Sequence, residues 1–447
     1  MKIRKVAVVG MAGVFPTCAD LPEFEHKLFS DQSLVRNWDE AEQFGRQIRS
    51  KVSGFVSLEE MNLECNRTGD NAYPDIFYDK LERIPNVHLA TADVGSIWAM
   101  LSAQEAIEQA NWKAKEVQSE RTGVSIGSGS GGHVVLRHAW ELFFQKGKRS
   151  TFTGSHNVDR TMVYREAANV SCLIKNRGIC EGLSSACATG LSNIGYAYRM
   201  IKFGVQDRMI CGGVEPTALE TFIGFDAMRV LSRKFAPEES SRPYDQQRNG
   251  FVCSFGCGIV ALEEYEQANN RGANILAVID GYHNNADGDG DMFAPSFDGQ
   301  NRLWQGLKNE VSHLKPDVVK AHSTSTPVGD AIELFSIVEN VGTDGYHISA
   351  PKSQFGHMLG AAGAVEFVAS VAMLNHQQVS PCLNLQTLNE SPEAIQLSDN
   401  WQGTNEPLAA FEHLLPKRAV QKDIQQIVAL NYGFGGTNGA IAISRPA

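Results

Sequence analysis

Short β-branched runs ending at glycine alternate along most of this chain with helix-length segments, and that alternation restricts the fold more than any other feature. "KVAVVG" (5–10), "TGVSIG" (122–127), "DRMICGG" (207–213), "GCGIVALEEY" (256–265) and "ANILAVIDGY" (273–282) read as buried strands. "DVVKAHS" (317–323), "HISAPKS" (347–353) and "QQIVALNYG" (425–433) continue the series. "VGSIWAMLSAQEAIEQANW" (94–112) and "AAGAVEFVASVAMLNHQ" (361–377) read as helices between them. Such an alternation predicts an α/β fold with largely buried sheets, and the strands at 5 and 273 each open one half of it. Residues 30–90, rich in charge and turn formers, predict a cap or surface extension.

With 447 residues, 43% of them hydrophobic, the chain is long enough for a large core. A formal charge of −11 with no dominant basic face argues against nucleic acid as a partner. No uninterrupted apolar run reaches the roughly 18–20 residues of a membrane span, and the start "MKIRKVAVVGMAGVFP" is a poor leader, so a cytoplasmic protein is expected. The nine cysteines are scattered without a CxxC pair, which points to neither a metal site nor a disulfide framework.

One cysteine has a distinctive setting. Apolar residues at Leu191, Ile194, Ala197, Tyr198 and Ile201 predict a helix after residue 186, which puts Cys187 at its start. Unpaired N–H groups and the positive dipole end would favour its thiolate there. Taken alone, a buried inert cysteine would be the better reading. Two histidines in glycine- or proline-bounded turns after strands, His322 and His357, supply partners, with Lys352 and Glu333 nearby in sequence as an offsetting charged pair. The glycine-rich "NYGFGGTNG" (431–439) offers backbone N–H groups to an oxyanion. Another glycine-rich loop, "GSGSGG" (127–132), fits the dinucleotide pattern G-x-G-x-x-G. The acidic residue required about 20 positions later is missing from "KGKRSTFTG", which counts against nucleotide binding.

"SSACATG", "AHSTSTPVGD", "KSQFGHMLGAAGAVE" and "NYGFGGTNG", in that order, closely resemble the motifs of the elongating β-ketoacyl-acyl-carrier-protein synthases. "DRMICGGVE", "SRPYDQQRNGFV" and "DMFAPSFDG" support the resemblance, which runs from about residue 120 onward and includes the opening "KVAVVGMAG". It implies a thiolase-like fold, two similar halves in a five-layered αβαβα sandwich with a cap, divided here into 1–270 and 271–447. It implies an acyltransferase that loads an acyl chain on Cys187, decarboxylates a malonyl thioester with His322 and His357, and extends the chain by Claisen condensation in fatty acid or polyketide synthesis. Lys352 and Glu333 match a supporting ion pair, the N–H groups of Cys187 and Phe434 an oxyanion hole with Phe434 also a gate, and Thr324 and Thr326 the holders of a pantetheine arm. Lys80, Arg83, Lys148 and Arg149 fall in regions matching the carrier-docking surface. The implied partner is an acyl carrier protein, the implied assembly a homodimer with a heterodimer as the other option, and no cofactor or metal is called for.

The chain departs from the family pattern at Ser323, where glycine is usual, and at Asn249 and Phe255, and residues 15–90 match poorly. A non-catalytic, chain-length-determining partner subunit is the alternative reading, and its relatives usually lose the cysteine that Cys187 retains. A thiolase would carry a second cysteine near the C-terminal glycine loop, where this chain has none.

Overall fold

The computed structural model describes residues 3–56, 81–288, 291–388 and 407–446. Ten strands form one sheet: β1 Val6–Val14, β2 Thr122–Ser128, β3 Cys180–Glu181, β4 Arg208–Glu215, β5 Gly256–Glu264, β6 Ala277–Ala286, β7 Val318–Lys320, β8 His347–Ser349, β9 Gln426–Gly433 and β10 Thr437–Ser444. Their order is β8-β7-β9-β10-β6-β1-β5-β4-β2-β3. The five strands on either side of the β6–β1 junction have the same order and the same pattern of senses. Starting from β1 or β6, two antiparallel pairings are followed by two parallel ones. Within the sheet the halves are joined where Val6, Val8 and the residue between them pair with Ile279–Ala277.

Side-chain alternation along these strands distributes the core into layers, because successive residues of a strand face opposite sides. Val6 and Val8, Met209 and Cys211, Ile427 and Ala429, Ile441 and Ile443 all face one central cluster. The residues between them divide: Ala7, Val9 and Ile210 pack outward under helices α1 (Val94–Gln109) and α2 (Arg165–Ile174). Val428, Leu430, Ala440 and Ala442 pack outward under two further helices, Phe297–Glu310 and Gly329–Val341, on the opposite side. The central cluster is filled by α3 (Thr189–Lys202) and a second helix, Ala362–His376, so the layers run helix, sheet, helix, sheet, helix. In chain order the helices Phe297–Glu310, Gly329–Val341 and Ala362–His376 are α4, α5 and α6.

The two central helices approach backbone to backbone near their N-termini. A Cβ on Gly190 would lie 2.5 Å from the Ala364 nitrogen, and one on Gly363 2.5 Å from the Leu191 nitrogen. Only glycine permits that approach, and it brings the start of α3, with Cys187, beside the start of α6, with His357. Among the described residues one helical stretch, Leu359–His376, has the length and apolarity of a membrane span. It forms this central layer and is 89% buried.

The described part of the expected cap does not stand off from the body. Trp38, Ile48 and Phe55 pack with Phe222, Phe251, Phe255 and Leu359 in one buried cluster, and Leu34 N–H donates to the Gln354 carbonyl at 2.7 Å.

Candidate active site

Cys187 sits in a sharp turn rather than inside the helix. Ala186 is left-handed at φ 49, Ala188 N–H donates to the Ser185 carbonyl at 3.0 Å, and α3 begins at Thr189. The thiol is 8% exposed. Burial pushes its pKa up to about 12, while the Lys352 charge and the Phe434 backbone N–H pull the other way. The expectation of a resting thiolate at a helix start is therefore corrected: removing a full charge from water outweighs the partial charge of a helix end. The resting group is the thiol.

His322 follows β7 in a tightly bent loop with Ser323 at φ 20 and Ser325 at φ 66. The first two turns of α5 hold that loop. Glu333 accepts from the backbone N–H groups of His322 and Ser323, both at 2.6 Å. Asp330 accepts from Ser325 N–H at 3.1 Å and from Tyr244 N–H at 2.9 Å. His357 follows Gly356, whose φ of 73 turns the chain. Its N–H donates to the Val252 carbonyl at 2.7 Å, its carbonyl accepts from Ser254 N–H at 2.9 Å, and the Phe251 ring packs on it at 5.3 Å. The two imidazoles then meet edge to face, 5.2 Å between centroids and 88° between planes.

Lys352 does not pair with Glu333, as the sequence led us to expect. It forms an ion pair with Glu366, which also pairs with Lys320. Glu333 is instead occupied with two backbone donors, and burial raises its pKa to about 7 against them. Glu366 lies on α6 and Lys320 on β7, and Asn431 of β9 joins them, donating to Glu366 at 3.2 Å and accepting from Lys320 at 3.1 Å. Burial lowers Lys320 to about 8 although Glu366 opposes the shift. None of these three residues was singled out from the sequence. The available signal was a lone charge in an otherwise apolar helix, and a lysine closing a buried β run.

The network determines the protonation of His322. Lys352 Nζ and Asn431 Nδ2 both lie 3.3 Å from its Nδ1, and both are donors. Nδ1 must then carry the lone pair, leaving the proton on Nε2. Burial and the Lys352 charge hold the pKa of both histidines well below 6.5, so both rings are neutral.

A cavity of about 410 Å³ brings these groups together: Cys187, His322, His357, Glu333, Thr324, Thr326 and Phe434 all line it, and Lys352 lies behind the imidazole. The Thr324 and Thr326 hydroxyls are 3.2 Å apart. The Phe434 ring stands edge-on to Phe293 at 5.3 Å. Gly433 lets its loop pass so close to the cysteine turn that a Cβ there would lie 2.7 Å from the Ser185 carbonyl oxygen.

A family model described as the β-ketoacyl synthase N-terminal domain matches residues 3–268, and its C-terminal counterpart matches 276–386. The chain belongs to the β-ketoacyl synthase family. Among its relatives, 3-oxoacyl-[acyl-carrier-protein] synthase 1 of Haemophilus influenzae is 36% identical over 351 residues, 78% of this chain and 81% of that protein. Synthase 2 of Vibrio harveyi is 30% identical over an alignment of 458 positions that covers 100% of both chains. Among solved structures, a type II polyketide ketosynthase in complex with its acyl carrier protein, bound to the hexaketide, superposes with a TM-score of 0.82 at 25% identity, covering 100% of both chains. The thiolase-like fold expected from the motifs is thus the one this β-ketoacyl synthase has.

Its departures from the family pattern have local explanations. Ser323 occupies a backbone position at φ 20 that suits glycine. Phe255 is fully buried and packs on Trp38 at 5.7 Å, so the extension and this residue complete one another. Asn249 lines the cavity and accepts from Arg233 N–H at 3.1 Å. Of the expected docking cations, Lys80 lies outside the described residues. Arg83 is ion-paired with Glu108, Lys148 and Arg149 are exposed, and none of the three lines the cavity. Among the described residues the exposed cation lining the cavity is Arg229, which the sequence reading passed over.

Proposed function

We propose that this condensing enzyme is a 3-oxoacyl-acyl-carrier-protein synthase working through a Cys187 thioester. The observation that carries the reading is the convergence of one buried thiol and two neutral imidazoles on a single cavity, with the His322 proton on Nε2 by the logic of its neighbours. In the first half-reaction the Cys187 sulfur attacks the thioester of an acyl chain on phosphopantetheine. The carbonyl–sulfur bond to pantetheine breaks, and the proton of Cys187 ends on the departing pantetheine thiol. The N–H groups of Cys187 and Phe434 stabilise the tetrahedral oxyanion.

In the second, a malonyl thioester loses carbon dioxide, and the electron pair of the broken carbon–carbon bond becomes an enolate. Neutral imidazoles suit this step, since each offers an N–H to the enolate oxygen without introducing a mobile acid that would protonate the carbanion. The carbanion attacks the Cys187 thioester, expelling the cysteine thiolate, which takes up a proton. The product is a 3-oxoacyl chain two carbons longer on its carrier. Glu333 orders the His322 loop, and Lys352, held by Glu366, orients the ring through Nδ1. Thr324 and Thr326 hold the pantetheine arm, and Phe434, packed on Phe293, moves when the acyl chain enters. An acidic carrier would meet Arg229 at the cavity, with Arg83, Lys148 and Arg149 as docking cations away from it; Lys80, also expected to dock the carrier, lies outside the described residues.

A homodimer follows from the same reading. Trp140, Phe144, Phe152 and Val158 are 59%, 75%, 68% and 73% exposed, large apolar side chains suited to being covered by a second copy. The intact Cys187, His322 and His357 count against a non-catalytic subunit.

Incubation with acyl- and malonyl-loaded carrier protein, read by mass spectrometry, is expected to show acyl-Cys187 and an elongated product. Either His322→Ala or His357→Ala should largely abolish carbon dioxide release while leaving some Cys187 acylation. Acylation that survives Cys187→Ala, or normal decarboxylation in both histidine variants, overturns the reading.

A further inference from the structure

The "GSGSGG" loop has the form of an anion cradle, and an internal carboxylate fills it. Glu215, at the end of β4, is 1% exposed. Its Oε2 accepts from Gly129 N–H at 3.0 Å and from Gly360 N–H at 2.9 Å. Its Oε1 accepts from Ser130 N–H at 3.2 Å and from the Ser130 hydroxyl at 2.8 Å. All four partners donate, so each oxygen is committed to the acceptor role.

These four bonds join the two parts of the cavity. Gly129 and Ser130 follow β2, and the Ser184 hydroxyl ties the Ser128 carbonyl to the cysteine turn at 3.0 Å. Gly360 lies in the short turn Leu359–Ala361 that connects His357 to α6. The junction leaves no slack: a Cβ on Gly360 would lie 2.1 Å from the Gly129 nitrogen and 2.7 Å from Glu215 Oε2. A displacement of the carboxylate is therefore transmitted to both loops.

We propose that Glu215 is a positioning residue that sets His357 against Cys187, so that the enolate is formed within reach of the acyl thioester. This rests on the reaction proposed above. The glycine loop, which resembles a nucleotide motif in sequence, serves as the mould for that internal clamp. Acylation of Cys187 needs only the cysteine turn and its oxyanion donors. Condensation needs both loops in register, and a misplacement of about 1 Å is worth about 100-fold in rate.

Glu215→Gln is the test, since it keeps one acceptor oxygen and turns an N–H pair against an amide NH₂. Expected is a loss of about 100-fold in condensation, with Cys187 acylation by an acyl-carrier thioester within about 3-fold of the unmodified protein. In a His357→Ala background the same change should add little to the loss of carbon dioxide release. Ser130→Ala, which removes a single donor, should give the same split at smaller size and serves if Glu215→Gln does not fold. Equal losses in both half-reactions, or an undiminished effect in the His357→Ala background, overturn the proposal. Failure of the unmodified protein to acylate Cys187 would instead count against the proposed reaction.

Discussion

Glu366→Gln is the most informative single change, because it removes the only carboxylate described between two buried lysines while preserving shape. Lys320 and Lys352 are 0% and 1% exposed at their side chains, and both are ion-paired to Glu366. Removing one member of a buried pair costs about 3–5 kcal/mol in general, since the partner charge is left unsolvated. Lys320 can escape by losing its proton. Its folded pKa of about 8 is already depressed from 10.5 by burial. Without the Glu366 charge it falls further, so the amine releases its proton at lower pH than in the unmodified protein. At 1.36 kcal/mol per pKa unit, the Lys320 share of the loss is at most about 1 kcal/mol at pH 7 and at most about 3 kcal/mol at pH 6. Above pH 8 it vanishes, because the lysine is then neutral in both proteins.

The direction follows from proton counting. The unfolded chain holds the Lys320 proton up to about pH 10, so a folded state that has released it gains stability as pH rises, and the variant does so over a wider range. Urea unfolding at pH 6, 7 and 9 is the assay, and the difference between the two proteins should shrink as pH rises. Lys320→Met, which leaves Glu366 paired with Lys352, should cost less than Glu366→Gln at pH 6. Malonyl decarboxylation by Glu366→Gln should fall with the loss of the Lys352 contact to His322. A stability difference that is flat from pH 6 to 9, or absent at pH 6, refutes the electrostatic reasoning.

Three other outcomes follow from the same geometry. With the Cys187 thiol near pKa 12, its alkylation by iodoacetamide in the substrate-free protein should rise about tenfold per pH unit from 7 to 9, and a plateau below pH 9 would restore the helix-start thiolate. Gly190→Ala sets a methyl 2.5 Å from the Ala364 nitrogen, so urea unfolding should show a loss of about 3 kcal/mol, and an unchanged midpoint would mean the central helices are free to separate. Ser323→Gly relieves a backbone at φ 20 and should stabilise by about 1 kcal/mol with condensation retained, whereas a lower midpoint would show that the serine side chain contributes more than its backbone costs.

The period-2 strands and the long apolar helices were legible because their pattern is local: Val6, Ala7, Val8 and Val9 divide between two layers solely by alternation. That Cys187, His322 and His357 belong to one site, as their shared cavity shows, was suggested for a related reason, since each stands at a glycine- or proline-marked turn just after a strand or before a helix. Spacing alone could not say which carboxylate meets which lysine. Glu333 lies 19 positions from Lys352 and Glu366 lies 14, separations too similar to choose between, and helix phase decides: α5 turns Glu333 toward the His322 backbone while α6 turns Glu366 toward both amines.

The sequence by itself determined the layer-forming elements, which local periodicity specifies, and marked Cys187, His322 and His357 as candidates by their turn settings and ordered motifs. Tertiary structure decided the charge state of the site. Ionisation depends on how completely water is excluded and which groups replace it, and those neighbours come from β7, β9 and α6, segments up to 111 residues apart in the chain. Burial made Cys187 a thiol and left both histidines neutral, and the Lys352 and Asn431 donors placed the His322 proton on Nε2. It also turned a glycine loop that looks ready for phosphate into the seat of Glu215.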